Sequence, residues 1–185
     1  MAKVGPYDFD ARYTDVSVGF ATEAARTLRA SLVRIEHCTN QLTDDQVWWR
    51  PRPEMNAIGN LMLHLCGNIE RWGLAPIEGR PTTRNRPAEF AQRDPIPKAE
   101  LQQRLVASVE TMAGAVESLT TPAQLLHHCE IAGAVRPYQT DLLAVIFHVA
   151  AHFEGHTQEI IFITRQLLGG KYQFLWVPTK GQQSK

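Results

Sequence analysis

Apolar positions recur at helical spacing in four long stretches of the chain. From about Val16 to Leu42, Phe20, Ala24, Leu28, Leu32 and Ile35 repeat at three and four, the period of one helix face. Asp15 or Ser17 can cap its start, and the two prolines of "TDDQVWWRPRPEM" close off helix after it. The second stretch begins at Asn56, a good N-cap, and runs to about Trp72. Its sequence, "AIGNLMLHLCGNIERW", is apolar on most sides, so this helix should be well buried. The third starts near Pro97, a favoured first-turn residue, and runs to about Leu119 with a plain charged face, as an outer helix would. The fourth starts at Thr140 or Asp141 and runs to about Leu168, where Gly169 and Gly170 stop it.

The segments between carry their own signals. A proline-rich connector, roughly Pro76 to Pro97, holds Arg80, Arg84, Arg86 and Arg93. It reads as a surface loop crossing between helices; the alternative is a segment that covers one end of a site. "LLHHCEIAGAVRPYQ" alternates and contains Gly and Pro, which predicts a small hairpin turning at Ala132 to Ala134. His127 and His128 are adjacent, so they point to opposite sides of a strand as ordinary surface histidines. The expected fold is all-α: a four-helix bundle with a short β-hairpin between the third and fourth helices. Residues 1–185 form one domain, with 1–14 and 179–185 as flexible tails.

The bulk composition narrows the function. A chain of 185 residues suits one domain and can bury a core without staples. Nineteen basic residues balance nineteen acidic ones, so nothing favours nucleic acid or an acidic membrane as partner. Cys38, Cys66 and Cys129 are odd in number and far apart, which argues against a disulfide frame or a cysteine-only zinc site. The N-terminus has no apolar signal-peptide region. No run approaches the roughly 18 apolar residues of a membrane span. A reducing cytoplasm is the expected location.

"HVAAHFEGH" places His148, His152 and His156 at a strict spacing of four. On a helix these positions drift only about 40° per step and rise about 6 Å, so they form one stripe. Adjacent members can grip one ion. His148 and His156, about 12 Å apart along the axis, cannot easily share it at imidazole's bond length of about 2 Å. The pair is therefore 148/152 or 152/156, with His152 in either. A third ligand must come from elsewhere, and His64 on the apolar second helix is the candidate. Asn60, His64 and Asn68 form a polar stripe there. Burying such groups without partners is costly, so the two stripes should face each other across a polar cavity. The competing expectation is a hydrogen-bonded histidine core with no metal.

At these residues the sequence resembles the DinB/YfiT-like superfamily of metal-dependent enzymes, in an uncharacterised DinB-like branch. The resemblance runs from about Val18 to the "VPTKG" segment and is carried by "IGNLMLHLCGN" and "HVAAHFEGHTQEI". It implies an up-down-down-up four-helix bundle, often a homodimer. It also implies one divalent ion, nickel, zinc or iron-like, held by one histidine of the second helix and two of the last. Carried over, these are His64, His152 and His156. The register follows from "HTQEI", since the superfamily's last ligand is followed by a small residue, Gly-Gln and an aliphatic. His148 then lies outside the triad. The chain departs from that pattern with Gln158 where Gly is usual and Glu159 where Gln is usual. The change adds a carboxylate near His156 that would raise its basicity.

Three imidazoles leave coordination positions open, the form of a catalytic site. Hydrolysis by an activated water and delivery of a thiol to an electrophile both suit it. The resemblance implies the second for some members, which are thiol S-transferases using low-molecular-weight thiols such as bacillithiol or mycothiol. The alternative is a non-catalytic metal-binding or stress-response module. No catalytic residue follows from the sequence. Asn60, Asn68 and Glu159 are candidates to orient substrate or ligands. Glu154, two residues from both His152 and His156, points away from their stripe. Trp72 and Trp176 read as core.

Overall fold

A computed structural model of the protein describes residues 12–132 and 136–176. The four predicted helices are α1 (Val16–Asn40), a second that begins as α3 (Ile58–Asn68), α6 (Lys98–Glu117) and α8 (Leu142–Leu168). Short helices α2 (Asp44–Val47), α5 (Arg86–Ala91) and α7 (Pro122–Leu125), all unanticipated, punctuate the connectors. The architecture is an all-α bundle with one two-stranded hairpin, β1 (His128–Ile131) and β2 (Tyr138–Asp141). The strands pair antiparallel, with His128 opposite Asp141 and Ile131 opposite Tyr138. The hairpin lies where the alternating segment placed it. Most of its expected turn, Ala132 to Ala134, lies outside the described residues, as do residues 1–11 and 179–185 of the expected tails.

The helix ends follow their caps. Asp15 accepts from the backbone N–H of Ser17 and Val18 at 2.8 and 3.0 Å, and Asp141 from that of Ala144 at 2.9 Å. The expected Asn56 cap is displaced. The cap falls one residue later, at Ala57, whose N–H is met by Asn60 Oδ1 at 3.2 Å. At the far end Gly169 takes φ 53°, the left-handed region that glycine enters freely.

α1 packs against α6 and α8, and α3 packs against the same two. α1 and α3 are thus diagonal, and the core fills from all four. Leu28, Ile35, Leu61, Leu65, Leu105, Val109, Ile146 and Phe153 are fully enclosed in one cluster. Among the described residues no helix is long and apolar enough to cross a membrane.

The second helix does not end at Trp72. It widens into a π-helical segment, Ile69–Leu74, and continues as α4, Ala75–Ile77. Pro76 accounts for the widening: it has no N–H to offer the carbonyl of Trp72, and its ring crowds that carbonyl. The backbone responds with a longer bond, from Ala75 N–H to the carbonyl of Glu70. Gly73 lets this segment approach α6, because a Cβ there would stand 2.5 Å from Met112 Sδ.

Candidate metal centre

α3 and α8 face each other through their histidines. His64 is 5% exposed, and its Nε2 lies 3.0 Å from His152 Nε2. His156 completes the group, with its ring centroid 5.0 Å from His64 and 4.6 Å from His152. One ring nitrogen from each of the three lies within 4.8 Å of the others. Small side-chain adjustments would close that triangle on one ion with bonds of about 2 Å, so the three-histidine group can hold a metal ion. The helical stripe left the pair as 148/152 or 152/156 and the superfamily resemblance selected the second; the structure brings His64, His152 and His156 together. His148 lies off to one side. Its ring stacks on His152 with centroids 5.6 Å apart and planes 21° apart.

Burial, reinforced by His156, His64, His148 and Arg84, pushes the His152 imidazole down to about 4. It is neutral at pH 7, as a metal ligand must be. Burial likewise lowers His148.

Two of the three rings meet carboxylates through Nδ1. His64 Nδ1 lies 3.0 Å from Glu89 Oε2. His156 Nδ1 lies 2.8 Å from Glu159 Oε2. An ionised carboxylate can only accept, so each Nδ1 carries a proton. That is how metal-binding histidines are usually oriented. Glu159 thus touches His156, one of the contacts read from the sequence.

Glu89 was not legible. It comes from α5, inside the proline-rich connector, and is 8% exposed. Arg84 clamps it, with Nε donating to Oε1 at 2.6 Å and Nη2 to Oε2 at 2.8 Å. Arg84 Nη2 also lies 2.9 Å from His64 Nδ1. With that nitrogen protonated, the guanidinium donates to the carboxylate instead. Burial raises the Glu89 pKa, but Arg84 and His64 outweigh it, and the carboxyl ends below its ordinary range. Gly67 makes the room, since a Cβ there would fall 2.0 Å from Glu89 Oε1. Glycine inside a helix costs about 1 kcal/mol relative to alanine. Its presence one turn from His64 was the available sign of a close approach.

The Asn60 side chain does not face the histidines. It is fully buried, and its Nδ2 donates to the carbonyls of Glu89 and Gln92 at 2.9 and 3.1 Å. Its Oδ1 accepts from Arg50 Nη2 at 2.8 Å. Its part is to anchor the segment that delivers Glu89, rather than to face substrate or His64. Asn68 is buried one turn beyond His64. Glu154 points away, as expected. It accepts from Arg34 Nη1 and Ser31 Oγ on α1, both at 2.8 Å. Trp72 packs on the core from a half-buried position, while Trp176, expected in the core, is 50% exposed.

The family described as protein of unknown function (DUF1572) matches residues 15–181. No curated protein matches the chain. A solved structure, a conserved protein of locus from Enterococcus faecalis, is similar with a TM-score of 0.67 and 15% identity. The likeness spans 85% of this chain and 99% of that one. At that identity it speaks to the fold alone.

Proposed function

We propose, from the premise that the chain belongs to the DUF1572 family within the DinB/YfiT-like fold superfamily, that it is a divalent-metal-dependent enzyme. Its centre is His64, His152 and His156, and its chemistry is thiol S-transfer or hydrolysis on a small molecule. The observation that carries this reading is the pair of carboxylates behind the triad. Glu89 and Glu159 each meet the Nδ1 of a histidine that belongs to the cluster.

A nickel, zinc or iron-like ion there would supply a Lewis acid with open positions, suited to activating a thiol or a water. The protein's own part is orientation. Glu89 holds the proton on His64 Nδ1, Arg84 holds Glu89, and Asn60 holds the backbone of that segment. Glu159 does the same for His156. His152 stays neutral because it is buried among other histidines.

The reading extends to a cytoplasmic homodimer. Three free thiols fit a reducing compartment, and Leu143, Phe147 and Phe162 are exposed on α8. The test is to load the protein with each metal. Transfer of a low-molecular-weight thiol to an electrophile, and ester or amide hydrolysis, are then assayed beside His152→Ala. Metal-dependent turnover lost in the variant supports the enzyme. Full loading without turnover would make the protein a non-catalytic metal-binding or stress-response module.

A further inference from the structure

The ring contacts continue past the metal centre. His148 stacks on His152. Trp72, carried by the π-helical segment, lies 4.6 Å from His148. Tyr138, on β2, lies 5.6 Å from Trp72. The π-helical segment, β2 and α8 therefore bring three aromatic rings to one place. Beside them is a cavity of about 260 Å³, whose walls include Trp72, Tyr138, Thr140, Val145 and His148. Tyr138 is 51% exposed, although aromatic rings ordinarily drive burial.

We propose that this cleft seats the planar, uncharged ring of a small ligand, and that a metal-ligating arm on that ring reaches past His148 to the three histidines. The ring seat stands on the cleft alone, while the arm rests on the metal reading above.

The ligand class follows from the walls. Aromatic faces favour stacked or edge-on rings. They also attract cations, but the Arg71 guanidinium already lies 5.3 Å from the Trp72 ring. Among the described residues no carboxylate lines the cleft to neutralise a second cation, and no Lys or Arg lines it to pair an anion. The volume lies just below the roughly 300–1,000 Å³ of ordinary ligand pockets, which limits the occupant to a small ring system with a short arm. The arm must be soft or anionic to ligate an imidazole-bound ion, as a thiol is. His148 thereby acquires a role that the metal triad leaves it without: it is the wall shared by cleft and metal centre.

The test separates the two halves. Metal-free protein in chelator is titrated with p-cresol and followed by amide and indole NMR. The expected result is saturable shifts at Gln139, Thr140 and the Trp72 indole. Affinity should fall about three- to tenfold in Trp72→Leu and also fall in Tyr138→Leu, whose exposed side chain is not needed for folding. Absence of saturable shifts at these residues, or unchanged affinity in both variants, overturns the ring seat. Cobalt-loaded protein is then titrated with 4-methylbenzenethiol and ethanethiol, read by the thiolate–cobalt absorption band. A preference of about tenfold for the aromatic thiol, lost in Trp72→Leu while cobalt uptake is unchanged, supports the arm. Equal affinity for both thiols overturns it. Failure to take up cobalt overturns the metal reading and the arm together, and the p-cresol result still decides the ring seat.

Discussion

Glu89 Oε2 lies 3.0 Å from His64 Nδ1, and the two residues stand twenty-five positions apart in the chain. One belongs to a buried helix and the other to a connector that looks like surface loop. Carboxylates behind metal-binding histidines fix the tautomer and raise basicity, and their loss usually costs 10–100-fold in metal affinity. Glu89→Gln is therefore expected to lower nickel or zinc affinity by about that factor while the helical circular dichroism is retained. Competition against a chromophoric chelator measures it. Affinity within about twofold of wild type would mean that Glu89 only partners Arg84.

Gly67→Ala tests the same contact from the other side. In an ordinary helix interior this change stabilises, by about 0.4–1 kcal/mol. Here the new Cβ would meet Glu89 Oε1 at 2.0 Å and Arg84 Nε at 2.9 Å, and the clamped pair cannot both move aside. Overpacking of this kind typically costs about 1–3 kcal/mol, so net destabilisation is expected in urea unfolding, with weaker metal binding. Gly114→Ala is the control. A Cβ there meets nothing within 4 Å, and that variant should be as stable as wild type or more so.

The four helices were readable because each carries its own record: an apolar stripe at three and four, a cap at Asp15 or Asp141, a stop at Gly169. His64 and His152 were readable for a related reason, while the choice of His156 over His148 came from the superfamily resemblance. Helical spacing fixes which residues share a face, and polar stripes on apolar helices must find one another. Glu89 and Arg84 follow no such rule. Their connector has no period, and their burial depends on Asn60 and Gly67, residues of another element. The π-helical segment was hidden as well. Trp72 looked like a helix end, whereas the chain widens there to pass Pro76 and continues to Ile77.

Acid should weaken the connector's attachment to the second helix. The Glu70 carboxyl accepts from Arg80 and Thr83, and the Arg80 bonds chiefly hold it down at about 2 against an ordinary 4.5. A carboxyl depressed in the folded state stabilises fully above its unfolded value and loses that contribution as pH falls through the folded one. The expected loss lies between about pH 4.5 and 2. Urea midpoints of wild type and Arg80→Met should therefore differ at pH 7 and converge by pH 2. A constant gap across that range would place the contribution in packing rather than charge.

The register of the triad makes a sharp distinction between neighbours. His148 stacks on His152 but is not among the nitrogens that converge. His148→Ala should keep its full metal content, and His156→Ala should lose it. Metal lost from His148→Ala and kept in His156→Ala would move the pair one turn toward the start of α8.

The central claim is that three histidines from two helices bind one ion. Elemental analysis of protein purified without a histidine tag, wild type beside His64→Ala and His152→Ala, tests it most directly. The account predicts about one divalent ion per chain in wild type and little in either variant. No metal in wild type, even after incubation with nickel and zinc, would contradict it and leave His64, His152 and His156 as a hydrogen-bonded histidine core.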